Sequence, residues 1–266
     1  TGSRPIVPPI PGLERDNICA FRDIADVDQM IWASTRHKRA IVIGGGLLGL
    51  EAANGLLKRG MAVAVVHLME TLMERQLDPV AGKLLQRALD ERGLNFFMNG
   101  QTEEIFGDGR VQGIRLADGR EVPGDLVVMA IGIRPNIDLA KKADLDINRG
   151  VVVHDDMRTS DPDIFAVGEC VEHRGRTYGL VAPLYDMAKI CADHLTGDDD
   201  TKAAYAGSIT STKLKVTGID LFSAGNFIAG EDSSALTFHD TARQTYKKLV
   251  LRVGRIEPVL LYGDVT

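Results

Sequence analysis

Gly44, Gly46 and Gly49 stand at the spacing G-x-G-x-x-G inside the stretch from Ala40 to His67, AIVIGGGLLGLEAANGLLKRGMAVAVVH. That spacing suits a dinucleotide held by its pyrophosphate: the first glycine permits a sharp turn, the second admits phosphate close to backbone, and the third lets helix and strand pack tightly. A helix opening near Gly46 turns unpaired N–H groups of its first residues, Leu47 and Leu48 among them, and the positive end of its dipole toward the phosphates. No lysine is then required. At the end of the second strand, where an acidic residue would take the ribose 2′-OH, the chain has His67. A neutral imidazole there is expected to hydrogen-bond the ribose of NAD, and its cation to tolerate the phosphate of NADP. Glu70 lies one turn further on, and the reading favours NAD. The plainer alternative is a glycine turn that only packs a βαβ unit.

The elements that must position this turn are legible around it. Ile41-Val42-Ile43 is apolar and β-branched without alternation, as a strand buried on both faces should be. Gly60 ends the helix, and Val63 to Val66 returns as a parallel strand. Before the turn, Asp23 to Ser34 places Ile24, Val27, Met30 and Ile31 at helical spacing, which predicts a helix with that side on a core and Trp32 packed. After it, Asp78-Pro79 opens a helix through Leu84, Leu85, Ala88 and Leu89, stopped by Gly93, and Leu94 to Met98 supplies a third strand. From Glu103 to Pro123 short strands, Ile105-Phe106 and Val111 to Leu116, and turns at Gly107-Asp108-Gly109 and Asp118-Gly119 predict an antiparallel meander. Within Asp125 to Ala130 the run LVVMA is again wholly apolar and is expected to rejoin the parallel sheet, with Ala130 and Gly132 as further coenzyme-binding candidates. The stretch Gly132-Ile133-Arg134-Pro135-Asn136 echoes Thr1-Gly2-Ser3-Arg4-Pro5, suggesting two related modules, the first lacking its own beginning.

With 266 residues and 44% apolar composition, the chain is long enough for two compact units. A net charge of −6 gives no basic footprint for nucleic acid, and Asp198-Asp199-Asp200 reads as a solvated loop. No apolar run reaches membrane-spanning length, and TGSRPIVPPIPG lacks the regions of a signal peptide, so a soluble cytoplasmic protein is expected. Cys19, Cys170 and Cys191 are odd in number and far apart, and read as buried reduced thiols rather than metal ligands.

Thr159-Ser160-Asp161-Pro162-Asp163-Ile164-Phe165-Ala166-Val167-Gly168-Glu169 runs as a threonine, an apolar strand, then A-x-G-acid. The pattern resembles the second flavin motif of the FAD-dependent pyridine nucleotide oxidoreductases. There the acid after the glycine, at the positions of Gly168 and Glu169, bonds the ribityl chain of FAD. It is usually aspartate; Glu169 is one methylene longer. VHLMETLMERQLD from Val66, GIRPNIDLA from Gly132, YGLVAPLYDMA from Tyr178 and TARQTYKKLVL from Thr241 narrow the likeness to the large subunit of assimilatory-type NAD(P)H-nitrite reductases.

The resemblance implies an α/β chain: a Rossmann-like dinucleotide-binding domain with parallel sheet and β-meander, a partial FAD module, and a C-terminal α+β interface domain. By it, residues 1–38 and 159–203 are pieces of the FAD module, 39–158 the NAD(P)-binding domain, and 204–266 the start of the interface domain. It also implies hydride transfer from NAD(P)H to FAD, then electron transfer through iron-sulfur clusters and siroheme, which belong to the full-length protein only, to nitrite. Glu51 matches a family glutamate near nicotinamide and flavin; its plainer role is to favour the helix dipole. The helix from Pro183 to Leu195, with Met187, Ile190 and Cys191 inward, would lie beside the flavin or simply pack a core. Beyond Tyr205, alternation and turns at Gly218, Gly225, Gly230 and Gly254 predict short antiparallel strands. No metal site is expected in this chain. A homodimer and a separate small subunit stand open as partners. The alternatives are a stand-alone reductase of rubredoxin or ferredoxin, and a nucleotide-binding fragment without catalysis.

Overall fold

A computed structural model describes residues 1–197, 203–214, 216, 218–225, 233–252 and 255–265. The acidic run Asp198–Asp200 and the expected turns at Gly230 and Gly254 lie outside the described residues. The chain forms two compact units, one made of Thr1–Arg4 and Ile133–Thr210, the other of Pro5–Gly132 and Ser211–Thr266.

The larger unit is built on a parallel sheet in the order Ile18–Ala20, Leu126–Met129, Arg39–Ile43, Ala62–Val66, Leu94–Phe97. Its central strands are apolar at consecutive positions because both faces are covered. One face packs on the helices Ile24–Ser34, Leu47–Lys58 and Pro79–Asp90, through Met30, Ala33, Leu50, Leu56, Leu85 and Leu89. The other, through Ile41, Ile43, Val66 and Val127, packs on Ile105, Ile114 and Leu116 of the three-stranded antiparallel meander Thr102–Phe106, Gly113–Leu116, Glu121–Pro123. Asp125 to Ala130 rejoins the sheet as expected, between two parallel neighbours.

The helix Ile24–Ser34 is capped by Asp23 in a reciprocal box with Asp26. Its inward stripe differs from the expected one. Met30 and Ala33 are buried, whereas Ile24 is 79% exposed, Ile31 is exposed, and Trp32 lies at the surface with the Arg36 guanidinium 4.3 Å over its ring. The apolar residues at helical spacing span more than one face, and the pattern does not say which of them the sheet covers.

Residues Ser211–Lys213, Leu221–Ala224, Arg255–Tyr262, Thr245–Arg252 and Ser233–Asp240 form, in that order, an antiparallel five-stranded sheet. Three of its strands have eight residues each and so are longer than the short strands expected. One face of this sheet shares a core with the parallel domain: Leu214, Tyr246, Leu260 and Tyr262 join the cluster that holds Leu85 and Leu89. The Tyr262 hydroxyl donates to the Leu84 carbonyl at 3.2 Å, and Arg92 donates to the Gly218 carbonyl at 2.7 Å.

In the smaller unit, Val151–Val153 lies parallel to Val171–His173, which pairs antiparallel with Arg176–Thr177. The helix Val181–Thr196 packs Met187 onto a core with Val153, Met157, Tyr178 and Tyr205, while Ile190 and Cys191 are only partly buried beside it. The segment expected as a strand at Ile164–Val167 is not one: its pairing is a single bridge between Arg158 and Phe165. An apolar run becomes a strand only where a neighbour completes its ladder. The two echoing segments prove to be partners, since Ser3–Pro5 and Ile133–Pro135 form a two-stranded sheet, with the Asn136 N–H donating to the Gly2 carbonyl at 2.9 Å.

The three cysteines are free. Burial, with Asp26 adding, pushes the Cys19 thiol up to about 12, so it stays protonated and unreactive. Among the described residues no helix is long and apolar enough to cross a membrane, and no group of three His, Cys, Asp or Glu side chains is placed to hold a metal ion.

Candidate functional site

The glycine turn leaves the carboxyl end of Arg39–Ile43, flanked by the ends of Leu126–Met129 and Ala62–Val66. The strand that follows in sequence lies on one side and the later strand on the other. A crevice opens outside the strand ends at such a reversal, and ligands of open α/β sheets bind there. Gly44 donates to the Val66 carbonyl at 2.8 Å, and the Ala130 N–H donates to the Ile43 carbonyl at 2.8 Å, so the turn is tied to both neighbours.

Each glycine meets a different constraint. Gly44 has φ +119, and a Cβ on it would stand 2.3 Å from the Ala130 carbonyl oxygen. A Cβ on Gly49 would stand 1.9 Å from the Gly44 oxygen, so helix and strand touch backbone to backbone there. Gly46 faces nothing within 4 Å. It is also the N-cap of Leu47–Lys58, in an extended conformation and without a side-chain cap bond. Uncapped first-turn N–H groups beside an open, side-chain-free surface are what a pyrophosphate needs. Gly44, Gly46, Leu47, Leu48, Gly49 and Ala130 are thus brought together, and Glu51 lies in the second turn of the same helix. Gly132, at φ +117, follows two residues after Ala130.

His67 is not where the sequence put it chemically. It is buried, its Nδ1 accepts the Gly45 N–H at 3.0 Å, and its Nε2 lies 3.1 Å from both the Thr71 carbonyl and a Glu74 carboxylate oxygen. Both ring nitrogens are used inside the protein, which leaves none for a ribose hydroxyl. A cation would lose the bond from Gly45. The ring is a strut of the glycine turn. Gly45 was not singled out from the sequence, yet a Cβ there would stand 2.8 Å from the His67 ring and 2.7 Å from Leu72. A glycine between the two motif glycines, opposite a histidine in the acid's place, is the available signal.

Gly168 and Glu169 lie in the smaller unit. Gly168 has φ +100, and the Glu169 carboxylate accepts a hydrogen bond from the Ser3 hydroxyl. The same unit has a broad surface cavity of about 870 Å³ lined by Asp155, Arg158, Glu172 and Arg174. Thr159, Ser160 and Pro162 of the flavin-like motif also line it.

An open parallel sheet with an uncapped glycine turn at its reversal is the arrangement of dinucleotide-binding folds, and the chain belongs to the pyridine nucleotide-disulphide oxidoreductase family, whose model matches residues 1–188. Residues 211–266 match the C-terminal domain of rubredoxin NAD+ reductases. More particularly, the chain is 53% identical over 264 residues to the nitrite reductase [NAD(P)H] of Bacillus subtilis, covering 99% of this chain and 32% of that protein. It therefore spans about a third of the length of that relative. Among solved structures it is similar to the ferredoxin reductase for the CYP199A2 system of Rhodopseudomonas palustris, with TM-score 0.88 and 25% identity over 99% of this chain and 65% of that one. It is also similar to an NAD-dependent persulfide reductase of A. fulgidus, with TM-score 0.87 and 28% identity over 100% of this chain and 53% of that one.

Proposed function

We propose that this chain is the part of an NAD(P)H-dependent nitrite reductase large subunit that receives electrons from the reduced nicotinamide coenzyme. The observation that carries the reading is the glycine turn: Gly46 open, the helix behind it uncapped, and Gly44 and Gly49 closed against backbone. The 53% identity along nearly the whole chain supports the nitrite reductase assignment.

When both cofactors are bound, reduced nicotinamide supplies a hydride to the flavin of such enzymes. The chain's own share is placement. Gly46 with the N–H groups of Leu47 and Leu48 holds the pyrophosphate, Ala130 and Gly132 border the crevice, and Glu51 orients the nicotinamide from the second helical turn. In the smaller unit Gly168 and Glu169 contribute the ribityl contact of a flavin site. The sequence contains one G-x-G-x-x-G turn, already assigned to the nicotinamide coenzyme, so this chain supplies only part of a flavin site. The division into an NAD(P)-binding domain at 39–158, FAD-module pieces at 1–38 and 159–203, and an interface domain from 204 belongs to the same reading, as do nitrite as electron acceptor, siroheme and iron-sulfur clusters in further domains, dimerisation or a small subunit, and a cytoplasmic location.

A rubredoxin or ferredoxin reductase is the second reading, favoured by the match of residues 211–266 and by the ferredoxin reductase fold. Coenzyme oxidation by the protein that carries this chain separates them. Nitrite-dependent NADH oxidation yielding ammonia supports the first; oxidation coupled to rubredoxin and indifferent to nitrite supports the second.

A further inference from the structure

We propose that His67 is the positioning residue of the dinucleotide turn, and that the bond its neutral imidazole accepts from Gly45 makes coenzyme binding depend on the charge of the ring. The proposal rests on the reading of Gly44–Gly49 as the coenzyme site. A backbone N–H can be met only by an unprotonated nitrogen, so the bond from Gly45 to Nδ1 fixes the ring proton on Nε2, where the Thr71 carbonyl and Glu74 receive it. The tautomer is set from both sides.

Gly45 is held at its other polar group as well, because the Met73 N–H donates to its carbonyl at 3.0 Å. Leu72 and Met73 are fully buried, so the loop that leaves the second strand is anchored in the core while it grips the turn. The ring also fills the space a side chain on Gly45 would need. The residue next to Gly46 is thus clasped by His67 and Met73, and the clasp sets where Gly46 and the first helical N–H groups point.

A second proton on the ring would set N–H against N–H at Nδ1. Glu74 is the carboxylate that faces the ring, 3.1 Å from Nε2. Gly44-Gly45-Gly46 and the strand Leu94–Phe97, whose Phe97 carbonyl accepts the His67 N–H, bring no charged side chain. On the loop, Glu70 is turned out and pairs with Lys83 at 3.6 Å, and Arg75 is exposed. Glu74 therefore pulls a charged ring toward itself while the Gly45 N–H repels it. Acid should loosen the turn, and with it the coenzyme.

The test is calorimetric titration of the 266-residue chain with NAD+, which withstands acid, at about pH 8 and about pH 5.5. Affinity is expected to fall about tenfold or more in acid, the scale of a lost hydrogen bond that leaves its donor unmet. His67→Asn places a non-titrating oxygen where Nδ1 stands, and its affinity should change less than about twofold over the same range. His67→Leu should bind weakly at both. Equal wild-type affinity at the two pH values, or the same fall in the Asn variant, overturns the role of His67 and leaves the coenzyme site standing. Absence of NAD+ binding at both overturns the site and this proposal together. Nitrogen NMR of the imidazole gives a check that needs neither ligand nor variant: bare Nδ1 and protonated Nε2 are expected near neutral pH, and a proton on Nδ1 overturns the proposal.

Discussion

The hydroxyl of Tyr246 donates to Asp78 Oδ2 at 2.7 Å, joining the C-terminal sheet to the N-cap of a helix, 168 positions earlier in the chain. Asp78 is the N-cap of Pro79–Asp90 and also accepts from the Ala81 N–H at 3.1 Å and from Lys248 Nζ at 3.0 Å. One carboxylate thus starts the helix and fastens the sheet to it. Burial acts to raise its pKa, but the Tyr246, Ala81 and Lys248 donors outweigh it and hold Asp78 below the usual carboxylate range. Burial, and then Asp78 itself, push the Tyr246 hydroxyl up, so it remains a donor.

Tyr246→Phe removes one donor from a charged acceptor that keeps two others, and should cost about 1–2 kcal/mol in chemical denaturation. The pH dependence has a fixed sign. A carboxylate whose folded pKa is depressed contributes stability that is present above its unfolded value and lost as pH falls through the folded one. Wild-type stability should therefore drop below about pH 4, and the variant should show a smaller drop. Equal acid sensitivity in both would detach Tyr246 from Asp78.

The glycines of the turn divide into structural and ligand-facing positions. Gly49→Ala should destabilise the larger unit by about 1–3 kcal/mol or more, because its Cβ would meet the Gly44 oxygen at 1.9 Å. Gly46→Ala, with nothing within 4 Å and an extended backbone, should leave the melting temperature nearly unchanged. Thermal melts of the two variants side by side measure the difference.

In the smaller unit, Glu172 is buried and accepts from Asn148 Nδ2 at 2.9 Å, from the Arg149 N–H at 2.8 Å and from the Gly150 N–H at 3.1 Å. The carboxylate closes the turn that leads into Val151–Val153. Glu172→Gln turns one acceptor oxygen into an amide facing donors, and should cost about 1–3 kcal/mol, read from the unfolding of that unit in urea.

Flavin retention should be poor in this chain by itself. On the proposed reading Glu169 and Gly168 would supply a ribityl contact, but the one G-x-G-x-x-G turn in the sequence is assigned to the nicotinamide coenzyme. The purified 266-residue chain is expected to lose its yellow colour on gel filtration. A stoichiometric flavin spectrum afterwards would require the Gly44 turn to be reassigned.

Much of the architecture is written locally. Ile41-Val42-Ile43 and Leu126 to Met129 reveal buried parallel strands because nothing in them alternates, and Asp78-Pro79 marks its helix start through cap and fixed φ. The glycine spacing names the turn for the same reason. What stays hidden is direction and partnership. His67 has the type and place of a ribose ligand, and only the fold shows its ring turned onto Gly45. Ile164 to Val167 has the composition of a strand but a single bridging partner. The union of Tyr246 with Asp78 spans too much chain for any periodicity to report.

On the proposed function, the nicotinamide coenzyme sits over Gly46. Calorimetric titration of NAD+ into the wild-type chain and into Gly46→Val, at neutral pH and with folding checked by circular dichroism, measures it. Saturable one-to-one binding that the substitution weakens at least about a hundredfold is the expected result, since the valine side chain would occupy the pyrophosphate's place on an otherwise open surface. Equal affinity in the two folded proteins, or no binding by the wild type, would contradict it.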